Sequence, residues 1–248
     1  MTPEQFFAEH PKVALAFSGG VDSAYLLYAA KQAGADVKAY YVKTPFQPAF
    51  EQEDALTLAN QLHAQMVTIC LDVLSDSRIA ENPENRCYFC KHRIFSAILA
   101  QANADGYPLV MDGTNASDDA NDRPGMVALR ELGVRSPLRE WGLTKAEIRE
   151  LSRKAGLFTH DKPAYACLAT RIPAGTPITA EKLAVTEKSE GFLRSLGLTD
   201  FRIRFVGTAA KIQVAEQQIP LLLSHREAIL KELKQDYTAV LLDLEVRQ

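Results

Sequence analysis

Short apolar runs alternate with amphipathic segments along the N-terminal part of the chain. Buried strands are predicted where successive residues are mainly apolar, at 13–17, 37–42, 66–71 and 109–111, with a short fifth strand at 134–136. Apolar residues at helical spacing and capping signals predict helices at 22–33, 51–63, 91–103 and 145–155. This alternation predicts the α/β class, with a doubly wound parallel sheet covered by helices on both faces.

The pattern changes after residues 160–177, a segment rich in Pro, Ala and Gly that is typical of a crossover between domains. The remaining residues predict a helix after Thr179, strands at 201–206 and 210–214, a helix at 217–234 and a strand at 239–244. We therefore expect two domains, 1–165 and 166–248, of which the second is a smaller α+β domain.

Composition narrows the choice of partner. The chain has 248 residues, of which 47% are hydrophobic, and a net charge of −3, which gives no electrostatic reason to expect nucleic acid. No apolar run reaches membrane-spanning length, and the first residues lack the layout of a signal peptide. We expect a cytoplasmic protein with a small-molecule substrate and no membrane partner. Its cysteines should be reduced, and Cys70, in a strand-like run, should be a small core residue.

The turn between the first strand and the first predicted helix has the sequence SGGVDS, residues 18–23. Two adjacent glycines expose backbone N–H groups, and Asp22 and Ser23 can cap the helix, so the turn can bind an anion. It lacks the Gly-Lys-Ser/Thr ending of a mononucleotide P-loop and the G-x-G-x-x-G of a dinucleotide site. The turn resembles the PP-loop of ATP pyrophosphatases, which cleave ATP to AMP and pyrophosphate. An ordinary capped turn is the alternative.

Three of the four cysteines are spaced for a shared chemical role. Cys87 and Cys90 are separated by two residues, and Cys167 lies in a third sequence segment, ACLATR. Three thiolates would leave one iron of an iron–sulfur cluster open. A histidine, His92 or His160, would complete a structural zinc site instead. Redox chemistry of the C-x-x-C pair is a further alternative.

Five segments, taken in order, are similar to the LarE sulfur-insertion enzymes: 18–23, 85–91, 112–115 with 121–125, 167–173 and 201–205. The resemblance extends over nearly the whole chain. It implies the PP-loop fold (adenine nucleotide alpha hydrolase-like, HUP). It also implies ATP-dependent sulfur insertion into pyridinium-3,5-dicarboxylate mononucleotide. In that reaction an acyl adenylate forms, AMP and pyrophosphate are released, and the product is a precursor of the nickel-pincer cofactor of lactate racemase.

The resemblance also implies where sulfur and ATP are bound. Cys87, Cys90 and Cys167 match the branch whose three cysteines hold a catalytic [4Fe-4S] cluster, whereas another branch sacrifices one cysteine. ATP is expected at Ser18, Gly19, Gly20, Asp22, Ser23, Gly113 and Arg171. Asp22 should also place Mg²⁺, and Lys91, like Arg171, is a candidate cation for the charge that builds up on the phosphates. The loop with Asp118, Asp119 and Asp122 should contribute one more carboxylate.

Substrate binding is expected in the C-terminal domain. Arg202 and Arg204 alternate with apolar residues, so both guanidinium groups leave one face of a strand, an arrangement that suits a phosphate. A solvated outer face is the alternative. The resemblance favours binding of the substrate phosphate by this pair and adds Glu190 as an acidic residue near the substrate.

The expected partners are the nucleotide substrate, sulfide or an unidentified sulfur donor, and further copies of this chain in a homo-oligomer, with a hexamer as the specific expectation. Three other functions stay open at this point. They are a PP-loop tRNA thiolase, an ammonia-using PP-loop synthetase and a nucleotide-binding module with a structural zinc site. The acidic net charge argues against the first, and the second would have no use for the three cysteines.

Overall fold

A computed structural model of the chain describes residues 2–118 and 124–247. The chain divides into two compact units, the first formed by residues 1–73 and 85–164 and the second by 74–84 and 165–248. The second unit therefore includes a short segment from the middle of the chain, which the sequence pattern did not indicate. The functions expected for the two domains stay predictions.

The first unit is built on a parallel sheet of four strands, β1 Lys12–Ala16, β2 Asp36–Lys43, β3 Gln65–Cys70 and β4 Leu109–Met111. Their order is β3-β2-β1-β4, and all neighbouring pairs run parallel, which confirms the predicted α/β class. The expected fifth strand at 134–136 is reduced to a single bridge between Arg135 and Met111. Loops that follow β1, β2 and β4 lie at the same carboxyl edge of the sheet, where ligands bind in such folds.

The helices up to residue 154 are α1 Pro3–Glu9, α2 Val21–Gln32, α3 Ala49–Gln61, α4 Ser77–Ala80, α5 Arg86–Ala104, α6 Pro124–Glu131, α7 Pro137–Glu140 and α8 Lys145–Lys154. Of these, only α4 belongs to the second unit. The predicted capping box of α8 is confirmed, because Thr144 and Glu147 each bond the other's backbone N–H. Helix α5 begins at Arg86, before the predicted start at 91, and α1, α4, α6 and α7 were not predicted.

Apolar side chains cover both faces of the first sheet. On β1, Leu15 packs in a cluster with Leu26 and Leu58 from α2 and α3. Its neighbour Ala14 points to the other face and packs in a cluster with Phe95 of α5. Adjacent strand residues face opposite sides, so two cores require helices on both sides.

The expectation that Cys70 is a core residue is wrong. Cys70 ends β3, the edge strand of the sheet, and is exposed. The other residues of β3 are partly buried or exposed, whereas most residues of β1 and β2 are buried. An apolar run predicts a strand but does not reveal whether the strand lies at the edge.

The second unit contains a three-stranded sheet, β5 Phe201–Val206, β6 Ala209–Val214 and β7 Val240–Leu242. Strand β6 pairs antiparallel with β5 and parallel with β7, so the smaller α+β domain is confirmed. Its helices are α9 Ala180–Ser195, α10 Ile219–Ser224 and α11 Arg226–Leu233. The single helix predicted at 217–234 is interrupted at His225, where the Ser224 hydroxyl donates to the carbonyl of Leu221 at 2.7 Å.

Asn82 joins the segment 74–84 to the rest of the second unit. It is 1% exposed, and its side-chain amide donates to the carbonyls of Ile172, Pro173 and Thr176 at 3.2, 2.8 and 3.1 Å. Its own carbonyl accepts from the N–H of Gly175 at 2.8 Å. The segment is therefore held by hydrogen bonds to residues that follow it by about ninety positions.

Among the helices of the described residues, none combines the length and the apolar content needed to cross a lipid bilayer.

Candidate functional site

Two serine hydroxyls shape the loop between β1 and α2. The hydroxyl oxygens of Ser18 and Ser23 lie 3.2 Å apart, and the Ser18 oxygen accepts from the N–H of Gly20 at 3.3 Å. The Ser23 hydroxyl accepts from the N–H of Ser18 at 3.3 Å and donates to the carbonyl of Gly20 at 3.2 Å. Gly20 is the N-cap of α2 and has no side chain to cap the helix. The first-turn N–H groups of a helix have no partner within the helix, so this loop is suited to an anion.

Glycine is required at two positions around this loop. Gly19 has a φ of +71°, and a Cβ atom there would lie 3.0 Å from the backbone of Ala55 in α3. A Cβ atom on Gly113, in the loop after β4, would lie 2.9 Å from the backbone nitrogen of Ser23. The structure therefore places Gly113 directly against the start of α2, beside the residues expected to bind ATP.

Asp22 lies in the first turn of α2 and has two polar partners, one from the start of α8 and one from the loop after β4. Its Oδ2 atom is 2.5 Å from the ammonium of Lys145, the first residue of α8. Its Oδ1 atom accepts from the side-chain amide of Asn115 at 3.3 Å. The Asp22 and Lys145 side chains are 21% and 35% exposed, so a ligand can reach both groups.

The loop after β4 is organised by two carboxylates. Asp112 is buried and accepts from the hydroxyls of Thr114 and Ser136 at 2.5 and 2.7 Å. Asp118 accepts from the backbone N–H of Asn115 at 3.0 Å. The other carboxylates expected here, Asp119 and Asp122, lie outside the described residues.

The cysteine pair lies in the first turns of α5. Cys87 is exposed and Cys90 is half-buried, and their spacing of three puts both on one face of the helix. The Cys87 sulfur is 3.8 Å from a guanidinium nitrogen of Arg86. Lys91 follows, and its side chain packs on α6 at Gly125, where a Cβ atom would lie 2.7 Å from the Lys91 Cδ atom. All four cysteines are described and carry thiols rather than disulfides.

Cys167 belongs to the second unit, whereas Cys87 and Cys90 belong to the first. It is half-buried and precedes a 3₁₀ turn at Leu168–Arg171. Its carbonyl accepts from the hydroxyl of Thr170 at 2.9 Å and from the guanidinium of Arg171 at 3.3 Å. These bonds fix the backbone at Cys167.

Arg171 and Glu190 form a buried ion pair. Arg171 is 1% exposed, and its Nε and Nη2 atoms donate to the two oxygens of Glu190 at 2.8 and 3.0 Å. The Tyr165 hydroxyl and the Ile203 N–H also donate to this carboxylate, at 2.6 and 3.1 Å. Burial by itself would lower the pKa of Arg171, but the hydrogen bonds and charge of Glu190 outweigh burial and raise it. Burial, followed by the charge of Glu190, raises the pKa of Tyr165.

The sequence did not indicate that Arg171 and Glu190, which were predicted to bind different ligands, bind each other. Each Glu190 oxygen already accepts two hydrogen bonds from protein donors. The guanidinium of Arg171 also donates to the carbonyl of Ala166 at 2.7 Å. Contacts of Arg171 with ATP and of Glu190 with substrate stay predictions, and the geometry favours a role in which this pair positions its neighbours.

Arg202 and Arg204 are not on a solvated face, so that alternative is wrong. Arg202 is 5% exposed, and the ring of Tyr165 lies 5.0 Å from its guanidinium and 4.6 Å from that of Arg171. Arg204 is half-buried and donates to the side chain of Gln213 at 2.6 Å. Burial, and then the charges of Arg171 and Arg247, lower the pKa of Arg202 to about 10 and also lower the pKa of Arg204. Both groups remain cations at neutral pH, and the charges of Arg171 and Arg247 act on each of them.

The described residues fit a Mg²⁺ site at Asp22, but they do not form a complete site for an iron–sulfur cluster. Mg²⁺ is commonly held by one or two carboxylates together with phosphate oxygens and water, and the Asp22 carboxylate at the phosphate loop fits that pattern. The thiols of Cys87 and Cys90, on one helix face, fit two positions of a metal centre. Across residues 2–118 and 124–247, no three His, Cys, Asp or Glu side chains are gathered to hold a metal ion.

Sequence reasoning missed Lys145, Asn115 and Tyr165. Asn115 lies in a segment that supported the family resemblance, but no role followed from it. Lys145 did carry a signal, because a cation in the first turn of a helix opposes the helix dipole and calls for a compensating partner. Tyr165 carried no signal, since its contacts depend on the tertiary fold.

Comparison with known proteins agrees with this geometry. Residues 11–108, which span β1 to the end of the α5 region, match the tRNA methyl transferase HUP domain family. An uncharacterised protein from Synechocystis sp. is 38% identical over 87% of this chain and 81% of its own length. A tRNA-specific 2-thiouridylase from Pseudothermotoga lettingae is 27% identical over 61% of this chain and 54% of its own length.

A further relative is the pyridinium-3,5-bisthiocarboxylic acid mononucleotide synthase from Lactiplantibacillus plantarum. It is 33% identical to this chain over 94% of the chain and 86% of the synthase. The match includes both units, so it covers the PP-loop, the cysteine segments and the buried arginines together. The chain therefore belongs to the family of this synthase, the LarE family of PP-loop enzymes.

Proposed function

We propose that the chain catalyses ATP-dependent sulfur insertion into pyridinium-3,5-dicarboxylate mononucleotide. The product would be the thiocarboxylate precursor of the nickel-pincer cofactor of lactate racemase. The relative from Lactiplantibacillus plantarum supports the substrate class through its name. The observation that carries the proposal is the loop at Ser18–Ser23, whose glycines and serines leave the start of α2 open to a phosphate chain.

A carboxylate needs activation before sulfur can replace one of its oxygens, because its leaving group would otherwise be oxide. In the proposed reaction a carboxylate oxygen attacks the α-phosphorus of ATP, and pyrophosphate leaves. A sulfur nucleophile then attacks the carbonyl carbon of the acyl adenylate. AMP leaves with the original carboxylate oxygen, so atoms and charges balance without an external oxidant or reductant.

The first unit would bind and activate ATP. N–H groups in the first turn of α2 would hold the phosphates, and Asp22 would hold Mg²⁺. Ser18 and Ser23 already fix the shape of the loop through their hydroxyls. Lys91 is the candidate cation for charge that develops on the phosphates.

The second unit would bind the phosphate of the substrate nucleotide. Arg202 and Arg204 lie among further arginines, and burial lowers the pKa of each. A bound phosphate would neutralise this positive charge and accept forked hydrogen bonds. The Arg171–Glu190 pair would act by holding Tyr165, whose ring lies beside Arg202.

Sulfur delivery is proposed to involve Cys87, Cys90 and Cys167, which would hold a [4Fe-4S] cluster. When bound, such a cluster would supply one iron without a protein ligand, at which sulfide can be carried. Sulfide or another sulfur compound would be the donor, and a homo-oligomer would be the active form.

The test begins with anaerobic purification and analysis of iron and acid-labile sulfide. Sulfur transfer is then measured with ATP and substrate, followed by the mass of the protein. We expect iron and sulfide in the purified protein, several products per chain and an unchanged mass. Cys87→Ser, Cys90→Ser and Cys167→Ser should each abolish transfer, while Cys70→Ser, at the exposed end of β3, serves as the matched control.

Other outcomes would select other functions. Loss of one H₂S per chain at Cys167 would show sacrificial chemistry and contradict the cluster. Full activity of the triple cysteine variant with ammonia would indicate a synthetase. Salt-sensitive tRNA binding with tRNA thiolation would indicate the activity named for the more distant 2-thiouridylases.

A further inference from the structure

The ion pair between Lys145 and Asp22 connects α8 to the nucleotide loop. The Lys145 Nζ atom lies 2.5 Å from one Asp22 oxygen, and the Asn115 side chain bonds the other at 3.3 Å. Both members of the pair keep access to solvent. The ammonium therefore lies at the start of α2, the helix end at which the phosphates are expected.

The position of Lys145 is not explained by the stability of α8. Lys145 is the first residue of that helix, where the helix dipole disfavours a cation. The helix is already capped by Thr144 and Glu147. It is also anchored by Arg149, which donates to the carbonyls of His160 and Lys162 at 2.7 and 2.8 Å.

We propose that Lys145 is a phosphate-binding residue that holds the Asp22 carboxylate until ATP arrives with Mg²⁺. This inference rests on the proposed function, since it presumes that ATP binds at the Ser18–Ser23 loop. A divalent ion attracts a carboxylate more strongly than an ammonium does, so Asp22 would hold bound Mg²⁺ and release Lys145. The released ammonium then donates to phosphate oxygens at the same helix end, as lysine does in other phosphate sites.

Two consequences follow from this role, and the first distinguishes it from a structural one. Removal of the ammonium weakens the binding of ligands that carry phosphates and leaves adenosine binding unchanged. In the protein without nucleotide, the same change frees Asp22 and strengthens the binding of a divalent cation. A lysine that only paired with Asp22 would produce the second effect without the first.

The binding test uses isothermal titration of the full-length protein with ATP and with pyrophosphate, each in the presence of Mg²⁺. For Lys145→Met we expect affinity for both ligands to fall about tenfold, the loss of one charge-assisted hydrogen bond. Adenosine, measured by competition, should bind within about twofold of the wild type, and Lys145→Arg should retain most of the affinity. The matched control is Lys154→Met, at the exposed far end of α8, which should change nothing.

The cation test uses the electron paramagnetic resonance signal of free Mn²⁺ with the protein in the absence of nucleotide. Lys145→Met should bind Mn²⁺ several-fold more tightly than the wild type, and Asp22→Asn should bind it more weakly. If the methionine variant fails to fold, judged by circular dichroism, Lys145→Gln takes its place in both tests.

Unchanged affinity of the folded Lys145 variants for ATP and pyrophosphate, or an equal loss for adenosine, would refute the role of Lys145 and leave the proposed function intact. Wild-type protein that binds neither ATP nor pyrophosphate would refute the proposed function as well. The two failures are therefore distinguishable.

Discussion

Replacement of Glu190 by Gln tests whether the buried ion pair holds the second unit together. The carboxylate accepts four hydrogen bonds, two from Arg171, one from Tyr165 and one from the backbone of Ile203. Glutamine keeps the size of the side chain but removes its charge, and it turns one acceptor into a donor. Arg171, which is 1% exposed, then keeps a buried charge without a counter-charge at that position.

The expected cost follows from that burial. Removal of one partner from a buried pair typically destabilises a protein by about 3–5 kcal/mol, since the remaining charge stays out of water. This corresponds to a decrease of about two to four orders of magnitude in the equilibrium constant between the folded and unfolded forms of the second unit. Neighbouring Arg202 and Arg204 increase the effect, because they repel a buried guanidinium.

Hydrogen exchange with mass spectrometry measures this cost within each unit. Peptides from β5 contain the Ile203 N–H, which donates directly to Glu190, and should lose about 100- to 5000-fold in protection. Peptides from β1, in the first unit, serve as the internal reference. Lys188→Ala is the control, since Lys188 lies in the same helix and pairs with Asp236 while 47% exposed. If Glu190→Gln lowers β5 protection no more than Lys188→Ala does, this account of the ion pair is wrong.

Two further predictions concern the loop and the arginines. Gly19→Ala should abolish ATP binding and destabilise the first unit, because the added Cβ atom would lie 3.0 Å from Ala55 at a φ of +71°. Gly34→Ala, at a φ of +75° with open space around it, should show only the backbone cost of about 1–2 kcal/mol in urea unfolding. Arg202→Ala should raise the KM for the substrate about tenfold or more with little change in the KM for ATP. Equal effects on both KM values in steady-state assays would argue against a phosphate site at Arg202.

The sequence predicted the four strands and the helices α2, α3, α5 and α8 of the first unit because apolar runs and helical spacing are local signals. It also located the glycine-rich turn between β1 and α2, since two adjacent glycines between an apolar run and a helical pattern are a local signal. It misplaced Cys70, because whether a strand lies at the edge depends on the other strands. The burial of Arg202 was not predictable for the same reason. Charged and apolar residues alternate along its strand, as they do in a strand with one solvated face. Only the tertiary fold places Tyr165 against Arg202.

Because residues 74–84 belong to the second unit, they affect both folding during synthesis and the choice of a fragment for expression. Asn82 needs carbonyl partners at 172–176, which are synthesised about ninety residues later. At typical translation rates of about 5–20 residues per second, this segment waits roughly 5–20 s before its partners leave the ribosome. Truncation of the chain at residue 164 would remove those partners permanently. A fragment meant to contain only the first unit should therefore have residues 74–84 replaced by a short polar linker.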